Sequence, residues 1–193
     1  MTAPAHPPVD WSALPAPEDD GGAAHLAGMR LPDVALVSTA GGRVRLCDLG
    51  GVCVLYVYPM TAEPGVALPE GWGAIPGAKG CTPQSCAFRD HFAELIEAGA
   101  DAVFGISTQA PQAQAEAASR LHLPFPLLSD ADLALATALR LPTFEAMGRT
   151  LHKRVTLIVR EGTIETVFYP VFPPDRNAAD VLAHLRERRG PPG

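Results

Sequence analysis

The sequence is short of positive charge, since 15 lysine and arginine residues stand against 21 aspartate and glutamate residues, for a formal net charge of −6. This balance argues against a surface that binds nucleic acid or an anionic membrane. The sequence also lacks an apolar run near the roughly 20 residues of a transmembrane helix. Its N-terminus lacks the basic and then apolar order of a signal peptide, so we expect a cytoplasmic protein.

Cysteine is scarce as well, with four residues in the chain. A cytoplasmic protein rarely uses cysteines as a static disulfide framework, and a cysteine pair there is more often catalytic or metal-binding. No second cysteine pair follows Cys81 and Cys86, so a zinc site is poorly supported and no metal is expected. The absence of C-x-x-C also disfavours a thiol–disulfide oxidoreductase.

Apolar residues make up 47% of the chain, enough for one domain with a sizeable core. Residues 1–30 combine several prolines, an acidic run and a glycine pair, and we interpret them as an extended or disordered arm that Trp11 and Leu14 could anchor. The domain is predicted over 31–193. It contains an inserted loop at 61–79, and long loops beside a reactive residue are commonly functional.

Apolar periodicity predicts three strands followed by a helix, a strand, two helices, a hairpin and a last helix. The predicted strands are 34–38, 43–46, 52–58 and 101–106, with a later hairpin of 154–160 and 163–169. The predicted helices are 83–98, 111–121 after a cap at Ser107 or Thr108, one from a cap at Ser129 or Asp130 to Arg140, and one opening at Asp175. This order predicts an α/β fold, a central mixed β-sheet with helices on both faces.

The stretch around Cys81 carries the clearest chemical signal. Thr82 suits a helix N-cap and Pro83 suits the first helical position, while Gly99 suits the helix end. Cys81 is therefore expected just outside the positive end of a helix, where a thiol most easily becomes a thiolate.

A helix end alone is too weak to ionise a thiol at neutral pH. Lowering the pKa of an ordinary thiol from 8.5 to near 6 takes about 3.4 kcal/mol, whereas a helix terminus supplies ~0.3–1 and at best ~2 kcal/mol. We therefore expect a nearby cation, either Lys79 or an arginine from a neighbouring strand.

The spacing of Cys81 and Cys86 does not suit a permanent disulfide. Residues five apart on an α-helix have Cα atoms roughly 8–9 Å apart and point about 140° away from each other, while a disulfide needs less than ~7 Å. The two cysteines can join only if the first turn unwinds, which suits a reaction cycle with a conformational step.

Several segments resemble the peroxiredoxins, specifically the peroxiredoxin Q, or bacterioferritin comigratory protein, group. The matching segments lie at 31–33, 56–59, 80–90, 124–130 and 154–158, in the family's order. The resemblance implies a thioredoxin fold and a thiol-dependent peroxidase that reduces hydrogen peroxide or organic hydroperoxides without a cofactor.

The resemblance also implies a role for each matching residue. Cys81 resembles the peroxidatic cysteine, Cys86 the resolving cysteine of an intrachain disulfide, and Arg154 the arginine that binds peroxide and thiolate. The implied partners are the peroxide and thioredoxin or a similar dithiol reductant, and we expect a monomer or weak dimer.

One position departs from the family pattern, which places a threonine three residues before the peroxidatic cysteine. Ala78 occupies that position here, and we attribute the difference to the inserted loop. Our hypothesis is that the loop folds back so that Thr61 supplies the hydroxyl. The alternative function is a thioredoxin-fold sensor or binding module in which the insertion has displaced the peroxidase geometry.

Overall fold

The computed structural model describes residues 9–189, which form nine β-strands and five α-helices. The strands are β1 Ala35–Ser38, β2 Arg43–Arg45, β3 Val52–Val57, β4 Ala102–Ser107, β5 Leu127–Ser129, β6 Thr143–Ala146, β7 Arg149–His152, β8 Val155–Arg160 and β9 Thr163–Phe168. The helices are α1 Cys81–Asp90, α2 Phe92–Glu97, α3 Pro111–Arg120, α4 Ala134–Leu139 and α5 Asn177–Arg189. Within 9–189, no helix has the length and apolar character needed to cross a membrane.

Seven strands form one mixed sheet in the order β2-β1-β5-β4-β3-β8-β9, and β6 pairs with β7 in a separate hairpin. Strand β4 lies parallel to both β3 and β5, whereas the other neighbouring strands are antiparallel. The continuous apolar run of β3 is buried at every position, as expected for a central strand covered on both faces. The predicted α/β fold with a central mixed sheet is confirmed.

The sheet separates two apolar clusters. Successive side chains of a strand point to opposite faces, and accordingly Val54 and Tyr56 of β3 lie in one cluster while Leu55 and Val57 lie in the other. The first cluster also holds side chains from α1, α2, α3 and α5, namely Phe88, Leu95, Ala117 and Val181. The second holds Leu135 and Leu139 of α4. Helices therefore cover both faces.

The prediction of one helix over 83–98 with Thr82 as its N-cap is wrong in two respects. Helix α1 begins at Cys81, because Gly80 takes a left-handed conformation with φ of 106° and turns the chain directly into the helix. The helical path is then interrupted at His91, so that α1 and α2 are separate helices. Gly99, with φ of 104°, follows the end of α2 as predicted.

The caps of the next two helices differ from the prediction in detail. Helix α3 has Ala110 at its N-cap, with no side-chain cap from Ser107 or Thr108. Helix α4 begins at Ala134, and the carboxylate of Asp130 accepts hydrogen bonds from the Leu135 and Ala136 amides at 2.8 and 3.0 Å. Asp130 therefore satisfies the first turn of this helix from just outside it.

The β6–β7 hairpin was not predicted, and it supports the inserted loop. Trp72 of the loop is buried, and its ring centroid lies 6.1 Å from that of Phe144 in β6. Together with Ala78 and Leu151, it forms a third apolar cluster. The loop at 61–79 is thus anchored on a hairpin of the domain.

The described part of the arm packs on the domain. Ala23 and Leu26 are buried in the core cluster that contains α4. Asp20 accepts hydrogen bonds from Lys153 at 2.5 Å and from the Tyr169 hydroxyl at 2.6 Å. The division of the chain at residue 30 stays a prediction, and residues 1–8 and 190–193 lie outside the described residues.

Candidate active site

Cys81 is the first residue of α1 and is 4% exposed. Its sulfur accepts a hydrogen bond from Nη2 of Arg154 at 3.3 Å. The thiol also lies 3.7 Å from the carbonyl oxygen of Ala78, to which it can donate. The sulfur therefore lies at the positive end of a helix and against a guanidinium group, two features that stabilise a negative charge on it.

Arg154 precedes β8 and is 3% exposed. Nη2 also donates to the carbonyl oxygens of Gly77 and Lys79, at 3.2 Å each, and Nη1 donates to Oε1 of Gln84. The end of the inserted loop and the first turn of α1 therefore fix the guanidinium beside the sulfur. The cation expected from sequence is the arginine, and Lys79 contributes its backbone carbonyl.

Gln84 links this pair to two further elements. Its Nε2 donates to Oδ1 of Asn177 at 2.9 Å, and the Thr156 hydroxyl donates to the same oxygen at 2.7 Å. All three side chains are buried, and these hydrogen bonds give their polar groups partners inside the protein. The network joins α1, β8 and α5 around Arg154.

Aromatic rings lie beneath α1. Tyr56 stacks on Phe88 with ring centroids 4.4 Å apart, and its hydroxyl donates to Ser85 at 3.2 Å. Burial raises the pKa of both Tyr56 and Tyr58, so these phenols stay neutral at physiological pH. This side of the site is apolar and uncharged.

Cys86 lies in the same helix as Cys81, and both thiols are free. Burial raises the pKa of the Cys86 thiol. The continuous helix keeps the two sulfurs too far apart for a disulfide, as expected from their spacing.

An open cavity of about 260 Å³ adjoins Cys81. It is lined by apolar side chains from the arm and the inserted loop, together with the start of α1: Val9, Trp11, Met60, Leu68, Trp72 and Pro83. A small molecule can thus approach the thiol along an apolar surface.

Residues 26–182 match the Redoxin family model. Peroxiredoxin Q from the chloroplast of Gentiana triflora is 28% identical over 156 residues, which are 80% of this chain and 64%, less than two thirds, of the plant protein. Peroxiredoxin Bcp of Escherichia coli is 35% identical over 147 residues, which are 74% of this chain and 84% of that protein. The chain belongs to the peroxiredoxin Q and Bcp group.

Solved structures show the same fold. Peroxidoxin BcpB from Mycobacterium tuberculosis superposes with a TM-score of 0.68 at 29% identity, covering 85% of this chain and 98% of that one. Peroxiredoxin Q from Xanthomonas campestris gives a TM-score of 0.66 at 24% identity, with coverages of 85% and 99%. The shared fold is the thioredoxin fold, and membership of the peroxiredoxin Q and Bcp group makes the chain a thiol-dependent peroxidase. A degenerate sensor module is not favoured, because Arg154 remains in contact with Cys81.

Thr61 of this peroxiredoxin is buried and already hydrogen-bonded. Its hydroxyl donates to Oε1 of Gln109 at 3.1 Å, its backbone N–H donates to the same atom at 2.8 Å, and Gln109 returns a bond to the Thr61 carbonyl at 3.2 Å. Neither Thr61 nor Gln109 is among the hydrogen-bond partners of the Cys81 sulfur. The assignment of Thr61 as the motif hydroxyl stays a prediction.

The other two cysteines of the peroxiredoxin lie outside the site. Cys53 is buried in β3, and burial raises the pKa of its thiol to about 11. The pKa of the Cys47 thiol is also raised, by desolvation and by Asp33 and Asp48 nearby. Across residues 9–189, no group of three or more histidine, cysteine, aspartate or glutamate residues could hold a metal ion.

The sequence does not single out Asn177 or Thr156 as site residues. For Gln84, it leaves two interpretations open, a contact with the active-site backbone and a solvated side chain. Gln84 and Asn177 are 93 positions apart, and neither lies in a pattern that signals their pairing. Their shared position around Arg154 becomes visible only when α1, β8 and α5 are packed together.

Proposed function

We propose that this peroxiredoxin reduces hydrogen peroxide and organic hydroperoxides with Cys81 as the peroxidatic cysteine, Cys86 as the resolving cysteine and Arg154 as the substrate-binding cation. The contact of 3.3 Å between Arg154 Nη2 and the Cys81 sulfur, at the start of α1, carries this proposal. It places a guanidinium cation against the sulfur in addition to the helix end, and both favour the negatively charged form of the thiol.

In the first step, the Cys81 thiolate attacks one oxygen of the peroxide. The O–O bond breaks, the sulfur becomes a sulfenic acid, and the other oxygen leaves as water or alcohol after taking a proton. Nε of Arg154 is buried and has no hydrogen-bond partner within the described part of the chain. This N–H is available to stabilise the charge that develops on the oxygens.

In the second step, the first turn of α1 opens and the Cys86 thiol attacks the sulfenic sulfur of Cys81. A disulfide forms, and the hydroxyl group leaves as water. A dithiol protein of the thioredoxin type then reduces the disulfide by thiol–disulfide exchange. The electrons come from thiols throughout, so the cycle requires no cofactor.

The cellular setting and assembly are also part of the proposal. The free thiols of all four cysteines fit a reducing compartment, so we place the protein in the cytoplasm. We propose a monomer or weak dimer, because each step uses residues of one chain.

Two cysteine variants test the proposal. Cys81→Ser should abolish peroxide consumption in an assay coupled to thioredoxin, because the nucleophile is gone. Cys86→Ser should still consume a first equivalent of peroxide per chain rapidly but should show no sustained thioredoxin-coupled turnover, because the sulfenic acid cannot be resolved to a disulfide. Rapid-mixing oxidation of the wild type, followed by mass spectrometry, measures the first step directly. Full activity in Cys81→Ser would reject the proposal.

A further inference from the structure

The start of α1 controls the conformational step of the proposed cycle. Cys81 and Cys86 can form a disulfide only after the first turn unwinds. Contacts that hold residue 80, at the N-cap of α1, therefore influence how readily Cys86 reaches the oxidised sulfur.

Gly80 is enclosed by two segments that are distant in sequence. A Cβ atom at this position would lie 2.9 Å from Cη2 of Trp11 and 2.6 Å from Cγ of Pro174. Trp11 belongs to a 3₁₀ turn of the arm, Trp11–Ala13, and Pro174 to the 3₁₀ turn Pro174–Arg176 that leads into α5. The N-cap of α1 is thus held between the arm and the turn before α5.

The two enclosing segments are bonded to each other. Nε1 of Trp11 donates to Oδ2 of Asp175 at 2.8 Å. The Trp11 ring also packs edge-on against Phe172, with centroids 6.1 Å apart and planes at 79°. This hydrogen bond lies at the surface, where water can replace it, so the contact biases α1 without locking it.

From this geometry we infer that Trp11 is a positioning residue that keeps the first turn of α1 folded and thereby slows disulfide formation. The inference rests on the proposed function. In resolution, the Cys86 sulfur bonds to the Cys81 sulfur, and the hydroxyl leaves as water with the thiol proton. In the competing reaction, a second hydroperoxide transfers one oxygen to the sulfenic sulfur as its O–O bond breaks, giving a sulfinic acid and an alcohol. Trp11 prolongs the lifetime of the Cys81 sulfenic acid, so that more of it reacts with a second hydroperoxide.

The test measures how the sulfenic acid divides between these two products. Wild type, Trp11→Ala and Trp11→Phe are mixed with excess cumene hydroperoxide, quenched at set times and analysed by mass spectrometry for the Cys81–Cys86 disulfide and the Cys81 sulfinic acid. The ratio of disulfide to sulfinic acid should rise about fivefold in Trp11→Ala, the effect of losing one hydrogen bond and ring packing. Trp11→Phe keeps a ring and should give a smaller rise.

Ser12→Ala provides the matched control. Ser12 lies in the same 3₁₀ turn, and its exposed hydroxyl donates to Asp10 at 2.6 Å. The ratio should equal that of the wild type. An equal shift in Ser12→Ala would overturn the inference, since any disturbance of the arm would then suffice.

The direction of the change separates positioning from simple shielding. Trp11 also lines the cavity beside Cys81, so a ring that only excluded peroxide would, when removed, increase the sulfinic acid. An unchanged or lower ratio in Trp11→Ala therefore overturns the inference while leaving the proposed function intact. A wild type that forms no oxidised Cys81 at all would reject both.

Discussion

Arg154 shows why a planar guanidinium suits this position better than an ammonium group. Its two terminal nitrogens donate to a sulfur, a side-chain amide and two backbone carbonyls. Lysine could place a charge there, but it has no rigid fork to make these bonds together. The arginine therefore holds the end of the inserted loop and the start of α1 in one arrangement around the thiol.

Leu68 offers a test of substrate preference at a single residue. It lines the cavity beside Cys81 and is 41% exposed, so its truncation should not disturb the core. In Leu68→Ala we expect the ratio of kcat/KM for cumene hydroperoxide to that for hydrogen peroxide to fall about fivefold, because apolar contact with the organic tail is lost. Steady-state assays with both peroxides give this ratio.

Val66→Ala is the control for that measurement. Val66 lies on the same loop and is 60% exposed, but it does not line the cavity. Its ratio should match the wild type. If the two variants gave the same ratio, the cavity beside Cys81 would not be the place where the organic tail binds.

The chemistry of single residues could be predicted from sequence where it follows local rules. A thiol next to a helix start and a need for a cation both follow from residues near Cys81. The partners of Gln84 could not be predicted, because Asn177 and Thr156 reach it through packing of distant elements.

At the scale of elements, Gly80 sets where α1 begins, and replacing it tests how tightly that start is held. Gly80→Ala should lower the free energy of unfolding by roughly 2–4 kcal/mol. A residue with a side chain is strained in the left-handed conformation of residue 80, and its Cβ would collide with Trp11 and Pro174. Urea unfolding followed by circular dichroism measures the change.

Gly99→Ala separates the effect of backbone strain from that of steric collision. Gly99 has nearly the same φ, 104° against 106°, but an added Cβ there would meet nothing within 4 Å. The free energy of unfolding of this variant should fall by only about 1–2 kcal/mol, because only backbone strain acts on it. Equal losses in the two variants would show that Trp11 and Pro174 do not press on the start of α1.

The elements that sequence predicted well are those with long, uniform patterns. Strand β3 was predictable because its apolar run is continuous, and the β8–β9 hairpin because two strong strands flank a turn at Glu161. The break at His91 was not predictable, since apolar spacing continues across it. Strands β6 and β7 were missed because most of their positions are exposed or half-buried, so neither strand has a continuous apolar run.

For the molecule as a whole, the arm, the inserted loop and the β6–β7 hairpin converge beside the active site. A second open cavity, of about 450 Å³, lies among them and includes Arg154, Phe144, Pro17 and Ile75 in its lining. The sequence does not decide whether the arm docks on the domain, because its prolines and acidic residues carry no apolar periodicity. In the structure, hydrogen bonds to Asp20, the packing of the Trp11 ring and the burial of Ala23 and Leu26 together hold the arm on the domain.

Asp20 is the main polar anchor of the arm, and its titration gives a prediction for pH dependence. The hydrogen bond from Lys153, followed by those from Tyr169 and the Gly22 amide, holds the pKa of its carboxyl well below the usual range. A carboxyl with a depressed pKa contributes stability that is present above its unfolded pKa, near 4, and is lost as pH falls through the folded value. Asp20→Asn should therefore unfold at lower urea concentration than wild type at pH 7, with a difference that is constant down to about pH 5.

Below about pH 4, the difference between wild type and Asp20→Asn should shrink, since the Asp20 carboxyl of the unfolded wild-type chain then takes up a proton while that of the folded protein stays ionised. Asp19→Asn serves as the control, because the neighbouring Asp19 side chain accepts a bond from the Gly21 amide instead. At pH 7, the urea concentration at which Asp19→Asn unfolds should differ less from that of the wild type than the value for Asp20→Asn does. If the Asp20→Asn difference instead grew on acidification, the carboxylate would not be stabilising the folded arm, and the arm would have to be held by its other contacts, such as the burial of Ala23 and Leu26 and the hydrogen bond from Trp11 to Asp175.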